Sequence, residues 1–217
     1  GDKIINELIA SDFRIKKIYG TCNWYEENSS IINEDVFCKV SAKELSRISN
    51  LKSPNNVLAI VNKKNLELEQ NNLTGLTLVL DSINDPGNLG TIIRSCHWFN
   101  IKNIICSENT VDMYNSKVIQ STMGSIFNVN IFYTDLSSFL NDCSNTHTIY
   151  GSFLEGDDIK KIEINSNALL VIGSESHGVS DSIVNKIHKK VTIKAKSDKI
   201  NSLNVATATS VMLYEFC

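Results

Sequence analysis

The sequence predicts an α/β protein in two parts, a small α/β module followed by a larger domain built on a mostly parallel sheet. Three observations carry that expectation. From Gly75 onward, six apolar runs recur with helical segments between them: LTLVLDSI, KNIICSE, FNVNIFYT, HTIYGSF, NALLVIGS and KVTIKAK. These runs are mostly continuous rather than alternating, the pattern of strands buried on both faces of a parallel sheet. Ahead of them, residues 1–62 show shorter helix and strand signals, and the polar, Asn-rich segment KKNLELEQNNLTG (63–75) reads as a linker.

Taken in order, IINELIASDF is helix-like and RIKKIYGT reads as a strand. SAKELSRIS is a helix entered through a capping box, with Ser41 as the cap and Glu44 three residues on. VLAIVNKK is a β-rich run, so two strands alternate with helices in a small α/β module. After the linker the six strand candidates follow, and SLNVATATSVMLYEF closes the chain as a helix.

Composition narrows the classes. At 217 residues the chain buries a sizeable core, and its 42% hydrophobic and 21% charged residues are ordinary for a globular protein. No apolar run approaches the roughly 18 residues of a membrane span, so no membrane partner is expected. The opening GDKIINELIASDF lacks the basic and apolar regions of a signal peptide. Six scattered cysteines form no CxxC pair and no zinc spacing, so they are expected as thiols in a reducing cytoplasm, with no metal site. The net charge of −3 gives no global basic footprint, so any RNA contact must use local patches and weaken with salt. One such patch is NKIHKKVTIKAKSDK, where Lys186, Lys189, Lys190, Lys194, Lys196 and Lys199 crowd together; a solvated lysine-rich face reads equally well.

Three loops follow strand candidates, where ligands bind in open α/β sheets. The first, SINDPGNLGTIIRS, carries Asn88 and one of the three arginines of the chain, Arg94. Asn88 is suited to cap the following helix, Gly87 and Gly90 leave bare backbone for a ligand, and Arg94 lies nearly two helical turns beyond Asn88. The second, VIGSESHGVS, sets Glu175 between Gly173 and Gly178; it is neither a dinucleotide fingerprint nor a phosphate-binding P-loop. The third, INSLNVATATSVMLYE, places Ser202 and Asn204 before a helix of small and apolar residues, with Ser202 the expected cap.

An N-x-G-x-x-x-R after a strand, a G-x-E-x-x-G after another, and an S-L-N-V opening a terminal helix, in that order, resemble the SpoU/TrmH family of the SPOUT superfamily. The likeness covers roughly Leu76–Glu215. It implies an S-adenosylmethionine-dependent RNA ribose 2′-O-methyltransferase whose catalytic domain (76–217) is a deep trefoil knot, preceded by a small RNA substrate-binding domain (1–62). It also implies a homodimer. Matched position by position, Arg94, Asn88, Glu175, Ser202 and Asn204 would be catalytic. Ser152, Gly173, Ile193, Ser202 and Leu203 would hold the cofactor. The implied reaction is in-line attack of a ribose 2′-oxygen on a sulfonium methyl group, which needs alignment and removal of the hydroxyl proton. A guanidinium stays protonated, so Arg94 suits a phosphate clamp that polarises the hydroxyl better than a free base.

Two departures stand out. Ile193-Lys194-Ala195 replaces the Ile-Pro-Met that the family often shows, and Gln120 stands where relatives commonly carry arginine. Intact Asn88, Arg94 and Glu175 argue against a catalytically silent RNA-binding protein on the same fold. The missing GxGxxG argues against a nucleotide-cofactor oxidoreductase. A separate N-terminal module favours ribosomal RNA over transfer RNA as the substrate.

Overall fold

The computed structural model describes residues 1–51, 53–70 and 73–217, so residues 71 and 72 of the expected linker lie outside the described residues. The chain divides into two compact units, residues 1–65 with 123–128, and residues 66–122 with 129–217.

The first unit contains α1 (Asp2–Ile9), β1 (Ile15–Gly20), α2 (Cys22–Asn28), β2 (Phe37–Lys39), α3 (Ala42–Ile48) and β3 (Val57–Val61). Its sheet runs β2-β1-β3, with β1 parallel to β2 and antiparallel to β3. The capping box forms as the sequence predicts: the Ser41 hydroxyl accepts the Glu44 amide, and the Glu44 carboxylate accepts the Ser41 amide. Two elements carry no clear signal in the sequence. Strand β2 is only three residues long, too short to show alternation, and α2 rests on a Thr21 cap that accepts the Trp24 amide. Ile5, Leu8, Phe13, Ile18, Trp24 and Val57 form the core of this unit. Phe127, in the segment 123–128, meets the Phe13 ring edge-on at 5.1 Å.

In the second unit each of the six apolar runs becomes a strand: β4 (Leu76–Leu80), β5 (Asn103–Ser107), β6 (Asn130–Thr134), β7 (Thr148–Asp158), β8 (Ala168–Ile172) and β9 (Lys189–Thr192). The order is β6-β5-β4-β8-β7-β9 and every pairing is parallel. Helices α4 (Pro86–Trp98), α5 (Ser116–Thr122), α6 (Leu136–Cys143), α7 (Asp181–Val184) and α8 (Val205–Phe216) connect and close it. Successive residues of the central strands, Leu78-Val79-Leu80 and Leu169-Leu170-Val171, are all fully buried, so both faces of the sheet are covered. Burial of each such side chain contributes roughly 1.5–3 kcal/mol.

The chain builds outward from β4 through β5 to β6, then fills the opposite side with β7, β8 and β9. The direction of winding therefore reverses between β4 and β8, and the crevice at their carboxyl ends is the switch point where open α/β sheets bind ligands. Helix α8 follows the edge strand β9 yet lies along α4: Ser95 Oγ and Ser210 Oγ are 2.8 Å apart, and Phe99 meets Tyr214 edge-on. The small-residue face of α8 thus packs within the chain, with Ala206 and Thr209 buried. This return of the last segment across β7 and β8 is what the expected threading requires. Among the described residues no helix is long and apolar enough to cross a membrane.

Candidate active site

The DPGN turn opens α4 differently from the expectation. Asp85, not Asn88, is the cap: its Oδ1 accepts the Asn88 amide at 2.8 Å, and Pro86 takes the first helical position. The physical reason is local. A cap needs extended backbone just ahead of the helix, and the proline forces that conformation on the residue before it. Asn88 becomes the third residue of α4, and its side chain is free for another use. Gly90 also has a different role from the one expected. A Cβ there would lie 2.4 Å from Ser121 Cβ and 2.8 Å from the Val118 carbonyl oxygen, so its bareness serves the close approach of α4 to α5, not a ligand.

The second loop is a tight turn at the end of β8. Ser174 and Gly178 exchange both backbone hydrogen bonds, at 3.0 and 2.9 Å. The turn doubles back onto Gly173 so closely that a Cβ there would sit 2.0 Å from the Gly178 carbonyl carbon. Glu175 projects from its exposed tip. Beyond the turn, the Ser180 amide donates at 2.7 Å to Oδ2 of Asp81, the buried residue that follows β4.

In the third loop Asn204, not Ser202, caps α8. Its Oδ1 accepts the amides of Ala206 and Thr207 at 3.0 and 3.2 Å. The helix starts at Val205, so Asn204 is the adjacent extended residue and Ser202 lies too far upstream to serve. Ser202 is exposed and its side chain makes no hydrogen bond among the described residues.

The three loops meet. Asn88 Nδ2 donates to Glu175 Oε1, and Asn204 Nδ2 donates both to Asn88 Oδ1 at 3.0 Å and to Glu175 Oε1 at 3.2 Å. Two asparagines thus hold one oxygen of the carboxylate at the switch point. The second Glu175 oxygen receives no hydrogen bond among the described residues. Arg94 does not join this cluster. Six residues turn a helix by about 600°, which leaves Arg94 roughly 120° around the axis from Asn88. Its guanidinium is exposed and makes no ion pair or hydrogen bond among the described residues. It shares its face of α4 with Thr91 and the 84%-exposed Trp98.

The expected cofactor positions fall on three adjacent strands, with Ser152 inside β7 and the others beyond strand ends. Ser152 pairs in register with Val191, Gly173 follows β8, and Ile193 follows β9. Leu203 stands in the segment between β9 and α8 and is half exposed. Among the described residues no group of three or more His, Cys, Asp or Glu side chains is placed to hold a metal ion. Two residues of the site escaped the sequence reading, the Asp85 cap and the Asp81 tether. Asp-Pro ahead of a helix is a signal that would have found the first; nothing local announces the second.

A model of the SpoU rRNA Methylase family matches residues 75–214. The 23S rRNA (guanosine(2553)-2′-O)-methyltransferase RlmP of Bacillus subtilis is 25% identical over 186 residues, which cover 85% of this chain and 70% of that one. The chain spans less than two thirds of several other curated relatives. Among solved structures, a putative RNA methyltransferase of the TrmH family from Porphyromonas gingivalis superposes with a TM-score of 0.89 at 28% identity, covering 100% of this chain and 87% of that one. The SpoU methyltransferase AviRb of Streptomyces viridochromogenes, in complex with AdoMet, shares the fold with a TM-score of 0.86 at 21% identity, over 100% of this chain and 87% of its own.

A parallel sheet of this order, with motif loops converging at its switch point, is that of the SPOUT methyltransferases. The chain belongs to the SpoU rRNA methylase family and is an RNA methyltransferase.

Proposed function

We propose that the chain methylates a ribose 2′-hydroxyl of ribosomal RNA in the cytoplasm, with S-adenosylmethionine as methyl donor. The observation that carries this reading is the Asn88–Glu175–Asn204 cluster at the junction of β4 and β8. The choice of a ribose in ribosomal RNA is supported by the RlmP relative, whose name states that chemistry and that substrate.

The cofactor would lie against β7, the ends of β8 and β9, and the segment before α8. Ser152, Gly173, Ile193, Ser202 and Leu203 would hold it. Leu154, Ile200 and Leu203, exposed by 75%, 66% and 50%, offer apolar surface to an adenine on the same segments. When bound, S-adenosylmethionine supplies a methyl group on a sulfonium centre. The residues of the chain do the rest. The free oxygen of Glu175 accepts a hydrogen bond from the ribose 2′-hydroxyl and takes its proton as the oxygen bonds the methyl group, while Asn88 and Asn204 fix the carboxylate. Arg94 clamps the neighbouring phosphate in the bidentate geometry a guanidinium favours and polarises the hydroxyl. Residues 1–62 would present the RNA, with 63–75 as the link to the methyltransferase domain.

We also infer a homodimer formed through α4 and α8, whose outer surface bears Trp98 at 84% and Tyr214 at 71% exposure. Aromatic side chains left this bare on adjoining helices mark an association surface. Sedimentation at micromolar concentration is expected to give a dimer, and Trp98→Glu to shift it toward monomer; an unchanged wild-type monomer refutes this arrangement. For the reaction, labelled S-adenosylmethionine is offered to ribosomal and transfer RNA from cells lacking the enzyme. Label is expected in the ribosomal fraction; transfer confined to transfer RNA overturns the substrate reading.

A further inference from the structure

We propose that Asp81 is a positioning residue for methyl transfer that acts through the Glu175 loop; the proposal rests on the active-site reading above. Asp81 is only 4% exposed, one residue beyond β4. Burying a carboxylate is costly unless its oxygens are engaged. Both are: Oδ2 accepts the Ser180 amide at 2.7 Å, and Oδ1 accepts the Ser82 hydroxyl at 3.1 Å. Among the described residues no lysine or arginine pairs with it. The carboxylate therefore serves two neutral donors, one of them a backbone amide 99 residues away.

That amide sits where the Glu175 loop ends. At its start, Gly173 is locked against Gly178 and Val179, and Val179 is buried beneath. Between these fixed points, Glu175, Ser176, His177 and Gly178 are all exposed. Their backbone is held by the Ser174–Gly178 bonds and the His177 amide's bond to Ser174 Oγ inside the turn and by the anchor at Ser180, while Asn88 and Asn204 bind the Glu175 side chain. From Asp81 the chain leads, through the next turn, into Asn88. One buried carboxylate thus ties the backbone of the first motif to that of the second. It fixes how far Glu175 stands from Asn88 and Asn204. Losing the tie lets the tip drift by fractions of an ångström to an ångström, a displacement that costs turnover more than it costs cofactor binding.

The test compares Asp81→Ala, Asp81→Asn, Glu175→Ala and the double variant Asp81→Ala/Glu175→Ala. Turnover is read at saturating S-adenosylmethionine and RNA, and the cofactor Kd separately. Asp81→Ala is expected to lower kcat by about tenfold or more with the cofactor Kd within about threefold. Asp81→Asn keeps an oxygen for the Ser180 amide, and its amide group can donate to the Ser82 hydroxyl, so it restores kcat to within about threefold of wild type. In the Glu175→Ala background, Asp81→Ala adds less than about twofold, because its effect passes through a side chain already removed. Should Asp81→Ala fail to fold, Ser180→Pro supplies the same comparison. The Ser180 φ of −64° suits proline, and the substitution deletes the amide donor along with the exposed hydroxyl that meets Ser182 Oγ at 3.3 Å, with the same loss and the same non-additivity expected. Multiplicative losses in the double variant, or a wild-type kcat for Asp81→Ala, overturn the proposal. A wild-type kcat for Glu175→Ala would instead remove the active-site reading, and this proposal with it.

Discussion

Arg94→Ala is expected to lower methyl transfer by about 10²–10³-fold while leaving cofactor affinity and thermal stability near wild type. The magnitude is that of removing a charged donor which, in the proposed reaction, holds the phosphate and polarises the hydroxyl, the kind of loss that appears in turnover and not in folding. The structure gives the reason for the second half. Arg94 is exposed on α4 and makes no hydrogen bond or ion pair among the described residues, so the fold loses little with it. Surface substitutions of that kind fall within about 0.5 kcal/mol. Arg94→Lys keeps the charge without the planar fork and is expected to recover only part of the rate. Single-turnover transfer, with calorimetric binding of S-adenosylmethionine, separates the two effects. A variant that turns over normally removes Arg94 from the reaction; one that loses cofactor binding moves its role to the cofactor pocket.

Gly173→Ala is expected to be the most damaging single methyl in the protein. The added Cβ would lie 2.0 Å from the Gly178 carbonyl carbon and 2.2 Å from the Val179 nitrogen. Both neighbours are backbone, with no flexible side chain to yield. The turn must open, which breaks the paired bonds between Ser174 and Gly178 and carries Glu175 away from Asn88 and Asn204. Overpacking of this kind costs about 1–3 kcal/mol, occasionally more. We expect a fall of that size in unfolding free energy by denaturant titration, together with loss of cofactor binding and of transfer. A Gly173→Ala protein that binds S-adenosylmethionine with wild-type affinity contradicts the packing of the loop.

The sheet was legible because buried parallel strands leave a continuous apolar record: LTLVL, NIICS and ALLVI are buried along most of their length, and each run becomes a strand. The capping box at Ser41 and Glu44 was legible because its signal is entirely local. Legibility failed where the deciding interaction is fine-grained or distant. Asn88 and Ser202 both have the chemistry of a cap, and which residue caps depends on where the first helical turn begins, a matter of one to three residues. Asp85 and Asn204 hold those places, and displacing Asn88 from the cap is what frees its amide for Glu175. The grouping of residues 123–128 with the first unit, and the Asp81–Ser180 bond, join segments far apart in the chain. No periodicity in either segment reports the other.

In the proposed reaction the methyl group goes to a ribose oxygen. Alkaline hydrolysis of labelled RNA tests it most directly, because base cleaves a strand only beside a free 2′-hydroxyl. Label transferred by the wild-type enzyme to ribosomal RNA is expected to survive in alkali-stable dinucleotides, and Arg94→Ala to yield almost none. Label released in mononucleotides would place the methyl on a base and rule out transfer to a ribose.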